Sequence, residues 1–134
     1  MAVAEEDPLG AQVRALFMDL AHAGDLDGAG VCRGEAGRVA EGTQVRFSLR
    51  LSGTRVEQVR YRAYGCPFTL ATCEWLARQL TGCQLSELSA PAISMAVGTP
   101  PEWAAALGIP SQRLGRLLVV EDALRQAAGR RSGS

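Results

Sequence analysis

The chain has 134 residues, 47% hydrophobic, 21% charged and 5% aromatic, with 14 basic and 14 acidic side chains. That length suits a single domain over residues 1–134 whose core needs no disulfide staple. Zero formal charge with few aromatic rings excludes nucleic acid as the expected partner, and no apolar run approaches the ~20 residues that span a bilayer, which excludes a membrane.

All the basic residues are Arg, and the sequence contains no Lys and no Asn, a pattern of GC-rich, bacterial coding. The Arg-rich stretch RFSLRLSGTRVEQVRYR therefore reads as a solvated sheet face. The N-terminal MAVAEEDPLG is acidic and lacks the basic start and apolar run of a secretory signal. Cys32, Cys66, Cys73 and Cys83 show no CxxC spacing. Together these predict a cytoplasmic protein with free thiols.

In chain order, Asp7 as cap and Pro8 as first helical residue open a helix carrying Leu9, Val13, Leu16, Phe17 and Leu20 at helical spacing, closing near Gly24. The Gly-rich DLDGAGVCRGEAGRVAEG is expected to be loop with a short strand around Val31 and Cys32. It has no Walker or dinucleotide pattern. TQVRFSLRL alternates, with Val45, Phe47, Leu49 and Leu51 on one side, and after the turn SGTR the segment VEQVRYRAY alternates through Val59, Tyr61 and Ala63. These predict an antiparallel hairpin.

Beyond Gly65-Cys66-Pro67 the period becomes helical, with Leu70, Cys73, Leu76, Ala77 and Leu80 on one side until Gly82. A short helix is expected over residues 86–90, then one capped by Thr99, Pro100 and Glu102 in a capping box. A last helix over about 112–128 buries Leu114, Leu117, Val120 and Leu124, and the tail GRRSGS is expected to fray, leaving an ordered core over about 8–128. The order predicts an α+β fold, a small three-stranded antiparallel sheet with helices packed on one face.

Cys66 stands at a strand-to-helix turn, where the partial positive charge of a helix N-terminus favours thiolate over thiol. The other three cysteines read as small buried hydrophobes. His22, the one histidine, reads as a polar residue at a helix end, and Trp75 and Trp103 as core or partner surface.

The segment VRYRAYGCPFTLATCEWLARQLTGCQLSEL resembles the U-type iron-sulfur scaffold family (IscU, SufU and the N-terminal domain of NifU). The likeness lies in Tyr64-Gly65-Cys66, then Gly82, Leu85 and Glu87, then Glu121, Asp122 and Ala123 on the terminal helix. The resemblance implies a non-enzymatic protein that accepts sulfur from a cysteine desulfurase, assembles a [2Fe-2S] cluster on three cysteines aided by an Asp, and passes it on. Aligned outward from Cys66, the family's first cysteine falls at Glu41, its Asp at Thr43, and its third cysteine at Arg116 with Gly115 at the preceding His. The family's chaperone-binding segment is reduced to Ile109-Pro110-Ser111-Gln112-Arg113. Only Cys66 is kept.

One thiolate beside a carboxylate and a guanidinium is a poor donor set for a cluster that wants four protein donors, mostly sulfur. No stable cofactor is therefore expected, although the resemblance implies iron or a [2Fe-2S] cluster, with Cys66 as the metal ligand. Glu41 and Arg116 are expected to form an ion pair beside Cys66. Two readings follow: sulfur acceptance as a persulfide at Cys66, delivered by a desulfurase or other sulfur-transfer protein, or a non-catalytic adaptor that docks such a partner through the scaffold surface. Alternative ligation by Cys73, Cys83 or Cys32 carries little weight, since Cys73 lies about two helical turns, ~10 Å, from Cys66.

Overall fold

Alternating apolar residues build the centre of the fold, as seen in a computed structural model that describes residues 9–129. In β2 (Thr43–Ser52), Val45, Phe47, Leu49 and Leu51 are buried. The chain turns at Gly53 and returns antiparallel as β3 (Arg55–Tyr64), with Phe47 opposite Tyr61 and Leu49 opposite Val59. A register shift at Arg50/Leu51 leaves Glu57 as the extra residue of a bulge. That is how Val56 and Val59, three apart, are both buried.

The Gly-rich region departs from expectation. Instead of a loop with a short strand, residues Val31–Arg38 form β1, eight residues paired along their whole length with β2 in a sheet of order β1-β2-β3. A Cβ at Gly34 would lie 2.2 Å from the Ala123 carbonyl oxygen and from the Ala127 nitrogen of the last helix. The glycine that reads as loop punctuation is where a helix backbone touches the sheet.

The helices cover the face that carries Cys32, Val45, Phe47, Leu49, Val59 and Tyr61. Helix α2 (Pro67–Leu80) packs on β3, and α5 (Leu114–Gly129) on β1 and β2; α1 (Ala11–Phe17) lies on α2, while α3 (Ala90–Val97) and α4 (Pro100–Leu107) lie against α5. The capping box forms as predicted, the Thr99 N–H donating to Glu102 Oε1 at 2.8 Å. Helix α3 starts later than predicted, because Ser89 caps it by accepting from the Ala92 N–H, and α5 is preceded by a 3-10 turn at Ser111–Arg113. Leu70 is half-buried, not core; Phe68, Ala71 and Thr72 are buried beside Cys73.

The first helix ends well short of Gly24, and the predicted cap at Asp7 and Pro8 and the tail after Gly129 lie outside the described residues. The chain leaves α1 early to run beside β3: the Tyr61 N–H donates to the His22 carbonyl at 3.2 Å and the Gly24 N–H to the Tyr61 carbonyl at 2.8 Å. From there residues 25–30 cross the outer sheet face as a strap, with Leu26, Val31 and Ser48 buried. Among the described residues no helix is long and apolar enough to cross a membrane.

Gly34→Ala is expected to lower stability by about 1–3 kcal/mol or more, since backbone atoms cannot yield as a side chain would. Gly115→Ala, with open space around its Cβ, is expected to be neutral or stabilising. Urea unfolding of both variants checks this contrast.

Candidate functional site

One end of the sheet gathers the start of β2, the end of β3 and the first turns of α2 and α5. Cys66 is the extended N-cap residue of α2, followed by Pro67, whose missing N–H costs nothing at the first helical position. Its half-buried Sγ lies 3.6 Å from Thr69 Oγ1. Burial pushes the Cys66 thiol up. The Thr69 hydroxyl, the N–H groups of Thr69 and Phe68, and the Arg116 guanidinium outweigh it and hold the thiol below its ordinary range. A thiolate here fills the acceptor role of a helix cap at the positive end of the helix dipole.

Arg116 projects from the first turn of α5, and its Nε is buried without a hydrogen-bond partner among the described residues. Glu41 closes a short 3-10 turn, Val39–Glu41, after β1. The two share a cavity of about 150 Å³ with Thr43, Gly115 and Val119. The ion pair expected between them does not form: Arg116 turns Nε into the interior while Glu41 stays exposed and solvated at the tip of its turn. The structure thus brings Arg116 to both Cys66 and Glu41, and leaves Glu41 out of the contacts of the thiol.

Among the described residues no three His, Cys, Asp or Glu side chains are placed to hold a metal. Cys32 and Cys73 are fully buried, burial pushes the Cys73 thiol up, and Cys83 donates to the Gln79 carbonyl at the far end of α2. With one thiolate, the Glu41 carboxylate, the Thr43 hydroxyl and a guanidinium at this end of the sheet, the donors do not fit a [2Fe-2S] cluster as cargo, which wants mostly sulfur.

Sequence reasoning missed Glu74. It is fully buried on α2, and its carboxylate accepts from the His22 N–H at 3.0 Å, Tyr61 OH at 2.9 Å and Arg78 Nε at 2.8 Å, with His22 Nδ1 at 2.7 Å. Burial pushes this carboxyl up, but the bonds from Arg78, His22 and Tyr61 prevail and hold it below the usual carboxylate range. The Tyr61 phenol is pushed up by burial and by Glu74. The network ties the segment after α1 to β3 and α2. Its only sequence signal was a Glu among apolar helix positions, four residues before an Arg.

The family model described as NifU-like N terminal domain matches residues 10–130. The bifunctional protein NifU/MnmA of Rubrobacter xylanophilus is 44% identical over 86 residues, which take in 59% of this chain and span only 17% of that relative's length. Among solved structures, a protein from Fervidobacterium islandicum AW-1 described as an iron-sulfur cluster assembly scaffold for the SUF system superposes with a TM-score of 0.66 at 14% identity, over 89% of this chain and 95% of that one. A NifU-like N-terminal protein from Brucella abortus gives 0.56 at 15% identity, over 90% and 94%. Both share the α+β fold, a three-stranded sheet with helices.

Arg116→Gln and Thr69→Val should each move the Cys66 thiol toward higher pKa, read from the pH dependence of its alkylation by iodoacetamide; an unchanged midpoint in both would contradict the site. Glu74→Ala should cost about 3–5 kcal/mol, since it strips a buried partner from His22, Tyr61 and Arg78. Because the Glu74 carboxyl is held low in the folded state, its contribution is full above the unfolded value of about 4.3. It is lost as pH falls through the folded value. The stability gap between wild type and Glu74→Gln should therefore begin to narrow below the unfolded value of about 4.3 and close once the pH has fallen through the folded value, and a gap independent of pH would contradict this.

Proposed function

Because the chain belongs to the NifU-like N-terminal domain family, the U-type iron-sulfur cluster assembly scaffolds, we propose that it serves iron-sulfur biogenesis as a sulfur acceptor. Cys66 takes the sulfur as a persulfide, and no stable cluster forms on the chain. The observation that carries this reading is the placement of one thiol: Cys66 caps α2 with its Sγ 3.6 Å from Thr69 Oγ1, within electrostatic reach of the Arg116 guanidinium, and has no second thiol beside it.

The step is a thiol-persulfide exchange. The Cys66 thiolate attacks the outer sulfur of a donor cysteine persulfide, a new S–S bond forms at Cys66, and the donor's inner sulfur leaves as thiolate. No oxidant is consumed. The persulfide is a stronger acid than a thiol, so its outer sulfur carries negative charge near neutral pH, and the buried Nε–H of Arg116 has no acceptor among the described residues. The protein acts as a stoichiometric carrier in a reducing cytoplasm, and a cysteine desulfurase is the donor.

An adaptor role is the second reading. It is favoured by the exposed apolar side chains at the site end, Tyr64 (54% exposed), Val39 (51%) and Leu118 (48%), which offer a partner a docking surface without any chemistry at Cys66.

Incubation with a cysteine desulfurase and cysteine, followed by peptide mass spectrometry, is expected to place one added sulfur on Cys66 and none on Cys32, Cys73 or Cys83. Cys66→Ser should take up none, and Arg116→Gln should load more slowly. No adduct on the wild-type chain would favour the adaptor.

A further inference from the structure

Opposite charges that come near each other in this fold close on one another. Asp25 pairs with Arg62, Asp27 with Arg33, and Asp19 and Glu74 with Arg78. Glu41 and Arg116 are the exception. They border one cavity of about 150 Å³, yet neither forms an ion pair or hydrogen bond with the other or with any other described residue. Thr43 stands in the same wall, only 6% exposed, and its hydroxyl too has no hydrogen-bond partner among the described residues.

The charges of this cavity select its occupant. A ligand with one charge gains from one wall and is opposed by the other: an anion such as acetate or phosphate meets Glu41, and an amine meets Arg116. A molecule that carries an ammonium and a carboxylate one carbon apart is matched at both, through charge-assisted hydrogen bonds. It also leaves the net charge of the site at zero. The end of a protein chain brings only one of the two groups, so the ligand is a free molecule. Size limits it further, since the volume lies below the ~300–1,000 Å³ of cavities that take drug-sized ligands. Gly115 supplies no side chain, and a Cβ there would meet nothing within 4 Å, so the α5 side of the cavity is open to a short side chain beside Val119.

We propose that this cavity binds a free α-amino acid with a short side chain in its zwitterionic form, the carboxylate on Arg116, the ammonium on Glu41 and a further hydrogen bond at the Thr43 hydroxyl. Arg116 belongs both to the cavity and to the surroundings of the Cys66 thiol. A carboxylate on the guanidinium offsets part of the charge that favours the thiolate. Occupancy therefore lowers the reactivity of Cys66. The binding event itself does not depend on sulfur acceptance.

The probe is L-alanine, which has no thiol to react at Cys66, titrated into the full chain at constant low ionic strength and followed by nuclear magnetic resonance of backbone amides. Shifts are expected at residues 41, 43, 115, 116 and 119. Acetate and methylamine, which carry the two charges separately, should each bind about tenfold more weakly or worse. Glu41→Gln and Arg116→Gln should each weaken alanine binding about tenfold or more, the loss of one charge-assisted hydrogen bond, while Met95→Ala on α3 leaves it unchanged. Glu41→Gln should at the same time bind acetate more tightly than wild type does, which a purely structural role for Glu41 would not produce. At saturating alanine the pH midpoint of Cys66 alkylation should rise toward that of Arg116→Gln. Cys66→Ser should bind alanine like wild type, so failure here is distinct from failure of the persulfide reading. Absence of alanine binding to the wild-type chain, acetate bound as tightly as alanine, indifference to both Glu41→Gln and Arg116→Gln, or an alkylation midpoint unmoved at saturation would each overturn the proposal.

Discussion

The structure depends on the contact between Gly34 of β1 and the backbone of α5 at Ala123 and Ala127. With no side chain between them, helix and strand run against each other, so that Gly37 meets Val119 and the cavity beside Thr43 meets Gly115 and Arg116. The first turn of α5 is thereby held at the end of the sheet where β3 delivers Cys66 to the first turn of α2. The N-terminus of α2 and the Arg116 guanidinium then act on one thiol. The position of Arg116 is a consequence of packing about two helical turns away.

This convergence reverses the electrical character of the site. Three thiolates and a carboxylate, the set implied by the resemblance, make a place for cationic iron. Here one thiolate remains, the first sulfur position is the exposed carboxylate of Glu41, the carboxylate position is a hydroxyl at Thr43, and a fixed cation stands at the third sulfur position. Of these groups the Arg116 cation acts on Cys66 and favours an anion there, which is what the proposed persulfide would be.

The hairpin, α2, α4 with its capping box, and the placement of Cys66 at a helix start were all legible, because alternation, helical period and capping chemistry are local signals. β1 was legible only as a short strand around Val31 and Cys32, since Gly34 and Gly37 are required by contacts with α5 and with Thr43 that no local pattern reveals. The short α1 was missed for a related reason: the pull of β3's edge on residues 22–24 is a tertiary hydrogen-bonding effect. Glu41 and Arg116 line one cavity, but their opposite charges did not decide the outcome, because hydration of an exposed carboxylate competes with a guanidinium whose Nε faces inward. Glu74 shows the remaining limit, in that a buried carboxylate is recognisable only once His22, Tyr61 and Arg78 are seen to converge on it.

On the proposed reading the chain carries sulfur and not a cluster. Native mass spectrometry after anaerobic incubation with ferrous iron, a cysteine desulfurase and cysteine tests it directly. The predicted spectrum shows the chain with sulfur bound and no iron, the added mass vanishing on reduction and in Cys66→Ser. A species carrying two irons and two sulfides, lost in Cys66→Ser, would contradict it.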